Sequence, residues 1–330
     1  MRRHLATILT LALCAACISP APPVEPDPYA TGARDAAANV AAPVGSEIVI
    51  CGQRFDIGAP VVLWTDAGGY DAYDRAIREG SSPDYASDEG QRYRPGRRAD
   101  PARGKPPVSA AASVAADLVG LDQFVLHYDV CGTSRTCFEV LHHLRGLSVH
   151  FLLDIDGTLY QTMDLRETGW HATRSNTRSV GVEIAHIGAR TAAEFGALDE
   201  WYGRDEHGLR LTLPARFGDG GVRTQGFVGR PARDGAIEGV INGTPLVMYD
   251  FTGEQYTTLE ALLRVLVREL PALEARFPRD ATGAVDPNVL SDEAFERFAG
   301  ILAHWHVQQN KTDPGPAFDW ERVGRAVGAR

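Results

Sequence analysis

The sequence predicts an α/β domain: a single mixed central β-sheet flanked by helices, with an N-terminal extension and a long internal insertion. Three observations lead there. Apolar runs of strand length fall at residues 124–126, 149–153, 158–161 and 179–184. Two stretches of helical period follow, one from Thr257 and one from Ser291. Between them and the last strand, residues 193–250 are polar and Gly-rich, with turns but no periodic apolar face, and read as an insertion rather than a second core. The chain has 330 residues, 44% hydrophobic and 23% charged, enough to build such a core without staples. Its formal net charge of -10 lacks the basic footprint of a nucleic-acid binder and excludes that class of partner.

Taken in order, residues 1–17 read as a signal peptide. Arg2 and Arg3 precede an apolar run from Leu5 to Leu13, too short for a permanent membrane span. The run ends in Leu13-Cys14-Ala15-Ala16-Cys17, which resembles a bacterial lipobox. Cys17 would then carry a lipid anchor, and the protein would be exported and held in the periplasm of a Gram-negative cell; Ile18 is compatible with the outer membrane. Residues 18–45, rich in Pro, Ala and Asp, form a tether. Residues 46–120 are an extension packed on the main domain: a hairpin of the runs 48–51 and 61–64, with 53–59 between them, then a loop over 68–107.

Residues 121–330 form the main domain. Its first strand ends at His127. A helix over 134–144 places Phe138, Leu141 and Leu144 on one face and leaves His142 and His143 at the surface. Asp156-Gly157 is a hairpin turn between strands 149–153 and 158–161. Thr257 and Glu260 form a capping box for a helix whose inner face is Leu259, Leu262, Leu263, Leu266 and Leu270. Ser291 opens a last helix with Phe295, Phe298, Ile301, Leu302 and Trp305 on its apolar face. Cys131 and Cys137 can close a small loop, and in an exported chain such a pair reads as a disulfide, the alternative being two buried thiols. Cys51 is expected to be buried in a strand.

The chemistry gathers around His127. Near the C-terminus, His304-Trp305-His306 precedes Lys311-Thr312-Asp313-Pro314-Gly315. One of these histidines, Asp313 and His127 would give two nitrogens and one oxygen to a metal, leaving a fourth tetrahedral position for water. Glu183 lies on a buried strand, where a carboxylate is costly without a partner or a task. It could serve as a general base, or form a salt bridge with an arginine.

Phe124-Val125-Leu126-His127, Gly146-Leu147-Ser148-Val149-His150-Phe151, Asp156-Gly157-Thr158, Gly169-Trp170-His171-Ala172, Ser179-Val180-Gly181-Val182-Glu183 and Lys311-Thr312-Asp313-Pro314-Gly315 occur in one order. Together they resemble the type 2 N-acetylmuramoyl-L-alanine amidases, a superfamily that includes phage lysozyme-type amidases and peptidoglycan recognition proteins. The likeness is nearest to the anhydro-muropeptide amidase branch. It implies one zinc ion per chain, held by His127, His304 and Asp313, with His306 as the alternative second ligand because Ala303 stands where the family has Gly. It implies Glu183 as catalytic carboxylate, Lys311 as the group that steadies the reacting carbonyl, and Trp170, His171 and Asn176 along the substrate groove. The Tyr that another branch uses would fall at Val149 and is absent. The Cys131–Cys137 pair resembles the disulfide of the recognition proteins. The implied partner is peptidoglycan or its muropeptides, acted on by a monomer.

Two rival readings are weighed. Asp154-Ile155-Asp156-Gly157-Thr158 resembles the nucleophile motif of haloacid-dehalogenase phosphatases, but that motif needs a helical crossover after its strand and the sequence here reads as a hairpin. A peptidoglycan-binding protein without catalysis would lack a ligand, whereas this chain has all of them. His186 and His207 are expected at the surface, and His150 packed under the site.

Overall fold

The structure is a computed structural model that describes residues 44–74, 93–94, 118 and 120–329. The expected signal peptide, Cys17 and nearly all of the tether lie outside these residues, as does most of the loop over 68–107. Among the described residues six strands come first: β1 (Gly45–Ile50), β2 (Gln53–Leu63), β3 (Gln123–Tyr128), β4 (Phe151–Leu153), β5 (Leu159–Gln161) and β6 (Ser179–Ile184). Two hairpins follow, β7 (Tyr202–Asp205) with β8 (Gly208–Leu211) and β9 (Ile237–Ile241) with β10 (Thr244–Met248), and then β11 (Gly300–Ala303). The central sheet has seven strands in the order β1-β2-β5-β4-β6-β3-β11. It is mixed: β11, β3, β6 and β4 run parallel in succession, while β4–β5 and β1–β2 are antiparallel.

Strands β3 and β6 are buried along their whole length. Parallel strands covered on both faces read as continuous apolar runs, so the polar residues within them stand out. On one face Phe124, Leu126, Val180 and Val182 meet helix α2 (Gly253–Glu269) through Leu259, Leu262, Leu263 and Leu266. Truncating a leucine such as Leu262 there to alanine would cost about 2–5 kcal/mol. The opposite face carries Gln123, Val125 and His127 on β3 and Ser179, Gly181 and Glu183 on β6, by the alternation of side chains along a strand.

Several expectations are corrected. The first hairpin turns at Cys51-Gly52, so residues 53–59 belong to β2 rather than linking two strands. Cys51 is buried as expected, but in that turn with φ of 50°. Helix α1 (Ser134–Phe138) continues as a π-helical turn (Glu139–Arg145). The wider π turn shifts the buried face, so His142 and His143 are buried and Leu141 and Leu144 only partly so. His186 is also buried, its Nε2 paired with the Tyr202 hydroxyl at 3.1 Å. Helix α2 begins earlier than Thr257: Thr252 and Gln255 form its capping box, and the Thr257 hydroxyl bonds back to the Gly253 carbonyl.

The largest correction concerns the expected helix from Ser291. Ser291 does cap helix α3 (Asp292–Arg297), but the chain then extends and Gly300–Ala303 joins the sheet beside β3. Gly300 has φ of 142°, and a Cβ there would lie 2.5 Å from the Arg276 carbonyl oxygen. Its N–H instead reaches the Asp122 carbonyl at 2.7 Å. After β11 come two short helices, α4 (His304–Val307) and α5 (Trp320–Val327).

The Asp154–Thr158 motif lies on a plain hairpin, β4 pairing antiparallel with β5. Asp156 accepts the Thr158 N–H and, through its other oxygen, the Thr224 N–H, tying the 193–250 segment to this turn. Asp154 accepts the N–H of Ile155, and burial, with the charge of Asp156 adding to it, pushes its carboxyl up to about 7. An unfolded aspartate ionises near 3.9, so the folded state keeps a proton that the unfolded state has lost between roughly pH 4 and pH 7. Stability from this group therefore falls as pH rises through that window. Asp154→Asn keeps the accepting oxygen and removes the titration. Its melting temperature, followed from pH 4 to pH 8, should gain on the wild type as pH rises and level off above about 7; parallel profiles would show that Asp154 is ionised in the fold.

Candidate active site

The register of three parallel strands builds the site. Ala303 is opposite Leu126, so His304, the next residue after β11, stands beside His127. His127 is in turn opposite Glu183 on β6. A row of side chains thus crosses the sheet at one level, and the loop after α4 brings Asp313 to it.

His127 Nδ1, His304 Nδ1 and Asp313 Oδ2 form a triangle with each edge 2.9 Å. All three residues are buried, and among the described residues they are the group able to share a metal ion. The far nitrogens are also held. His304 Nε2 is 2.9 Å from Gln308 Oε1, so a neutral ring carries its proton there and leaves Nδ1 bare. His127 Nε2 is 3.0 Å from His171 Nδ1, and His171 Nε2 is 3.3 Å from the Ser179 hydroxyl. These contacts assign one consistent set of tautomers: His127 donates to His171, which donates to Ser179. Both Nδ1 atoms then face the carboxylate as lone pairs, an arrangement that a divalent cation would satisfy.

Electrostatics agree with that donor set. Burial, then the neighbouring His304, pulls the His127 imidazole down to about 4, so it is neutral near pH 7. Burial alone would raise the Asp313 carboxyl, but His304 and His127 outweigh it and hold it below the usual carboxylate range. Glu183 lies beside the triangle, its Oε1 4.0 Å from His127 Nδ1, and its buried Oε2 has no hydrogen-bond partner. Burial raises the Glu183 carboxyl well above its ordinary value, the charges of Asp313 and Asp129 add to this, and Lys311 opposes it. The Lys311 charge is thus felt at both His127 and Glu183.

The remaining expected residues separate. His306 is turned away from the triangle: its Nδ1 accepts the Ala303 N–H and its Nε2 meets the Asp286 carbonyl at 2.7 Å. His171 has both ring nitrogens engaged within the protein, against His127 and Ser179. Asn176 spends its side-chain oxygen on the N–H groups of His171 and Ala172, holding the turn that presents His171. Trp170 is half-buried beside them. His150 does pack under the site, accepting the Gly181 N–H and meeting the Glu167 carbonyl. The expected disulfide is not formed: Cys131 and Cys137 are free thiols, with Cys137 buried and its thiol pushed up by that burial and by contact with Cys131. The loop brings the two thiols into contact without a bond between them.

Sequence reasoning missed Gln308, although its place four residues after His304 on one helical turn is a readable signal. It also missed why residue 181 is glycine: a Cβ there would lie 2.5 Å from the His171 ring.

The family model for N-acetylmuramoyl-L-alanine amidase matches residues 119–316, well over half of the chain. The chain belongs to this family. Among solved structures, this amidase-family chain is similar to the N-acetylmuramyl-L-alanine amidase AmiD from E. coli, solved with the substrate anhydro-N-acetylmuramic acid-L-Ala-D-gamma-Glu-L-Lys, at 16% identity over 67% of this chain and 61% of that one, with a TM-score of 0.36. It is similar to AmpD at 17% identity, covering 78% of this chain and 98% of that one, with a TM-score of 0.32. It is also similar to the N-acetylmuramoyl-L-alanine amidase LysC from Clostridium intestinale at 14% identity, covering 68% and 93%, with a TM-score of 0.33. The chain thus spans 61% of the length of AmiD. Compared with curated proteins by sequence, it finds no match.

The contact between His171 and His127 gives a direct prediction. Gly181→Ala should displace the His171 ring and weaken the affinity of the His127–His304–Asp313 group for a divalent metal by roughly 10–100-fold, as loss of a group orienting a metal ligand does. Competition titration against a chelator of known affinity measures this, and unchanged affinity would show that His171 does not orient His127.

Proposed function

We propose that the protein hydrolyses the amide between the lactyl group of N-acetylmuramic acid and L-alanine, in peptidoglycan or its fragments, as a zinc enzyme. The observation that carries this is the triangle of His127, His304 and Asp313 with the Glu183 carboxylate 4.0 Å from one corner. Two imidazole nitrogens and a carboxylate suit zinc, and His127, His304 and Asp313 would hold it. When bound, the ion supplies Lewis acidity to the scissile carbonyl and makes water a nucleophile near neutral pH.

The chain's own residues do the rest. Glu183 takes the proton of the attacking water at Oε2, the oxygen without a protein partner. It then passes that proton to the departing amine of L-alanine, so one carboxylate serves both halves of the reaction. Lys311 places positive charge toward the oxygen where negative charge develops, and donors of this kind contribute about 10²–10³ in rate. His171 and Gln308 keep the two imidazoles in the orientation and tautomer that the cation requires. Trp170 supplies an aromatic wall beside the reacting atoms. We further propose that residues 1–17 export the chain and that a lipid on Cys17 anchors it in the periplasm, where this polymer lies.

Incubation with peptidoglycan and with soluble muropeptides, read by mass spectrometry, tests the proposal. Stem peptides beginning at L-alanine should appear, vanish on chelation and return with zinc. Binding without release would favour a non-catalytic peptidoglycan-binding protein. Glu183→Gln should keep its zinc and lose about 10²–10⁴ in kcat; a fully active Glu183→Gln would remove the proposed base.

A further inference from the structure

The β9–β10 hairpin of the 193–250 segment runs along the loop that carries Lys311 and Asp313. Its Ile241, Leu246 and Met248 join the main core with Trp305, Ala317 and Phe318. At its tip, Asn242 and Gly243 have φ of 50° and 78°, the two left-handed positions of a tight hairpin turn that Asn-Gly favours. Three segments meet at Asn242. Its backbone N–H donates to the Pro287 carbonyl at 2.9 Å. Its side-chain oxygen accepts the Val289 N–H at 2.8 Å, which fixes the orientation of the amide. Its Nδ2 therefore points the other way and donates to the Lys311 carbonyl at 3.1 Å, with the Trp305 carbonyl at 3.5 Å.

These partners flank the site. Trp305 follows His304, and Lys311 lies two residues before Asp313. Segment 286–290, on the other side of Asn242, also holds His306 and the Trp305 indole through the Asp286 carbonyl. The loop between α4 and Asp313 has little regular structure of its own. Within it the Lys311 N–H donates to the Gln308 carbonyl at 3.2 Å and the Trp305 N–H to the Asp313 carbonyl at 3.4 Å, and Asn242 adds a bond to the Lys311 carbonyl from outside the loop.

We infer that Asn242 is a positioning residue for Lys311, so that the hairpin at the end of the 193–250 segment is a working part of the catalytic scaffold. The inference rests on the amidase reading only in that Lys311 acts on the reacting carbonyl. The bond from Asn242 holds the backbone of Lys311 in place, and the ammonium at the end of its long side chain is aimed from that fixed point.

Asn242→Gly tests this, since glycine keeps the positive φ and the backbone bond to Pro287 and removes only the amide bridge. In the full-length protein loaded with zinc, kcat on a soluble muropeptide should fall roughly 10–100-fold, the scale of a catalytic group displaced by about an ångström, while KM stays within about twofold. In a Lys311→Ala background the same substitution should cause no further fall, whereas a general loss of structure would lower both backgrounds alike. Hydrogen exchange of residues 311–315 should accelerate in Asn242→Gly. An equal fall in both backgrounds, or unchanged kcat with unchanged exchange, overturns the inference. If the wild type releases no peptide, the amidase reading fails separately, and exchange alone decides: acceleration supports the clamp and no change overturns it.

Discussion

The site depends on one constraint, the parallel register of β11, β3 and β6. A parallel ladder places residues at equal level side by side, and once Ala303 is opposite Leu126 and His127 opposite Glu183, two imidazoles and a carboxylate must share one patch. A slip of one residue in β11 would turn the side chain at that level to the other face of the sheet. The apolar partners on the far face, from Phe124 and Leu126 to Ile301 and the leucines of α2, oppose such a slip. The core thus fixes the chemistry: burial sets the register, and the register sets the donor set.

Around that row, neighbouring groups decide protonation. Nδ1 of His304 is bare because Gln308 takes the proton on the other nitrogen, and His127 is held in the same sense through His171 and Ser179. These contacts cost little in the fold, since each partner is already placed by a helix turn or by the loop that Asn176 closes. The loop bearing Asp313 and Lys311 has two backbone bonds to its own helix turn, and it is also tied from outside by Asn242, which the 286–290 segment holds in turn. One part of the site therefore belongs to the sheet and the other is brought to it by packing from a distant stretch of chain.

Much of this was legible in the sequence, for physical reasons. His127 and Glu183 stand out because a polar residue in a fully buried strand requires a task. Asp313 and the His304–His306 pair stand out because a short loop with Pro-Gly can return a carboxylate to a histidine, and the family resemblance pointed to His304 of the two. What could not be read was β11. Phe295, Phe298, Ile301, Leu302 and Trp305 satisfy a helical period, and a four-residue apolar run declares itself a strand only when an open edge such as that of β3 is there to receive it. The roles of His171 and Asn176 were likewise hidden. Each lies where the substrate groove was expected, yet both ring nitrogens of His171 and the side-chain oxygen of Asn176 are engaged within the protein, and only the folded loop shows it. The burial of His142 and His143 depended on a π turn that no local propensity announces.

The most direct test of the account is zinc titration of the metal-free protein by calorimetry, wild type against His304→Ala, with circular dichroism to confirm that both are folded. The account predicts one equivalent bound per wild-type chain and loss of that binding in His304→Ala. Undiminished affinity in His304→Ala would contradict the claim that the aligned ends of β11 and β3 build the metal site.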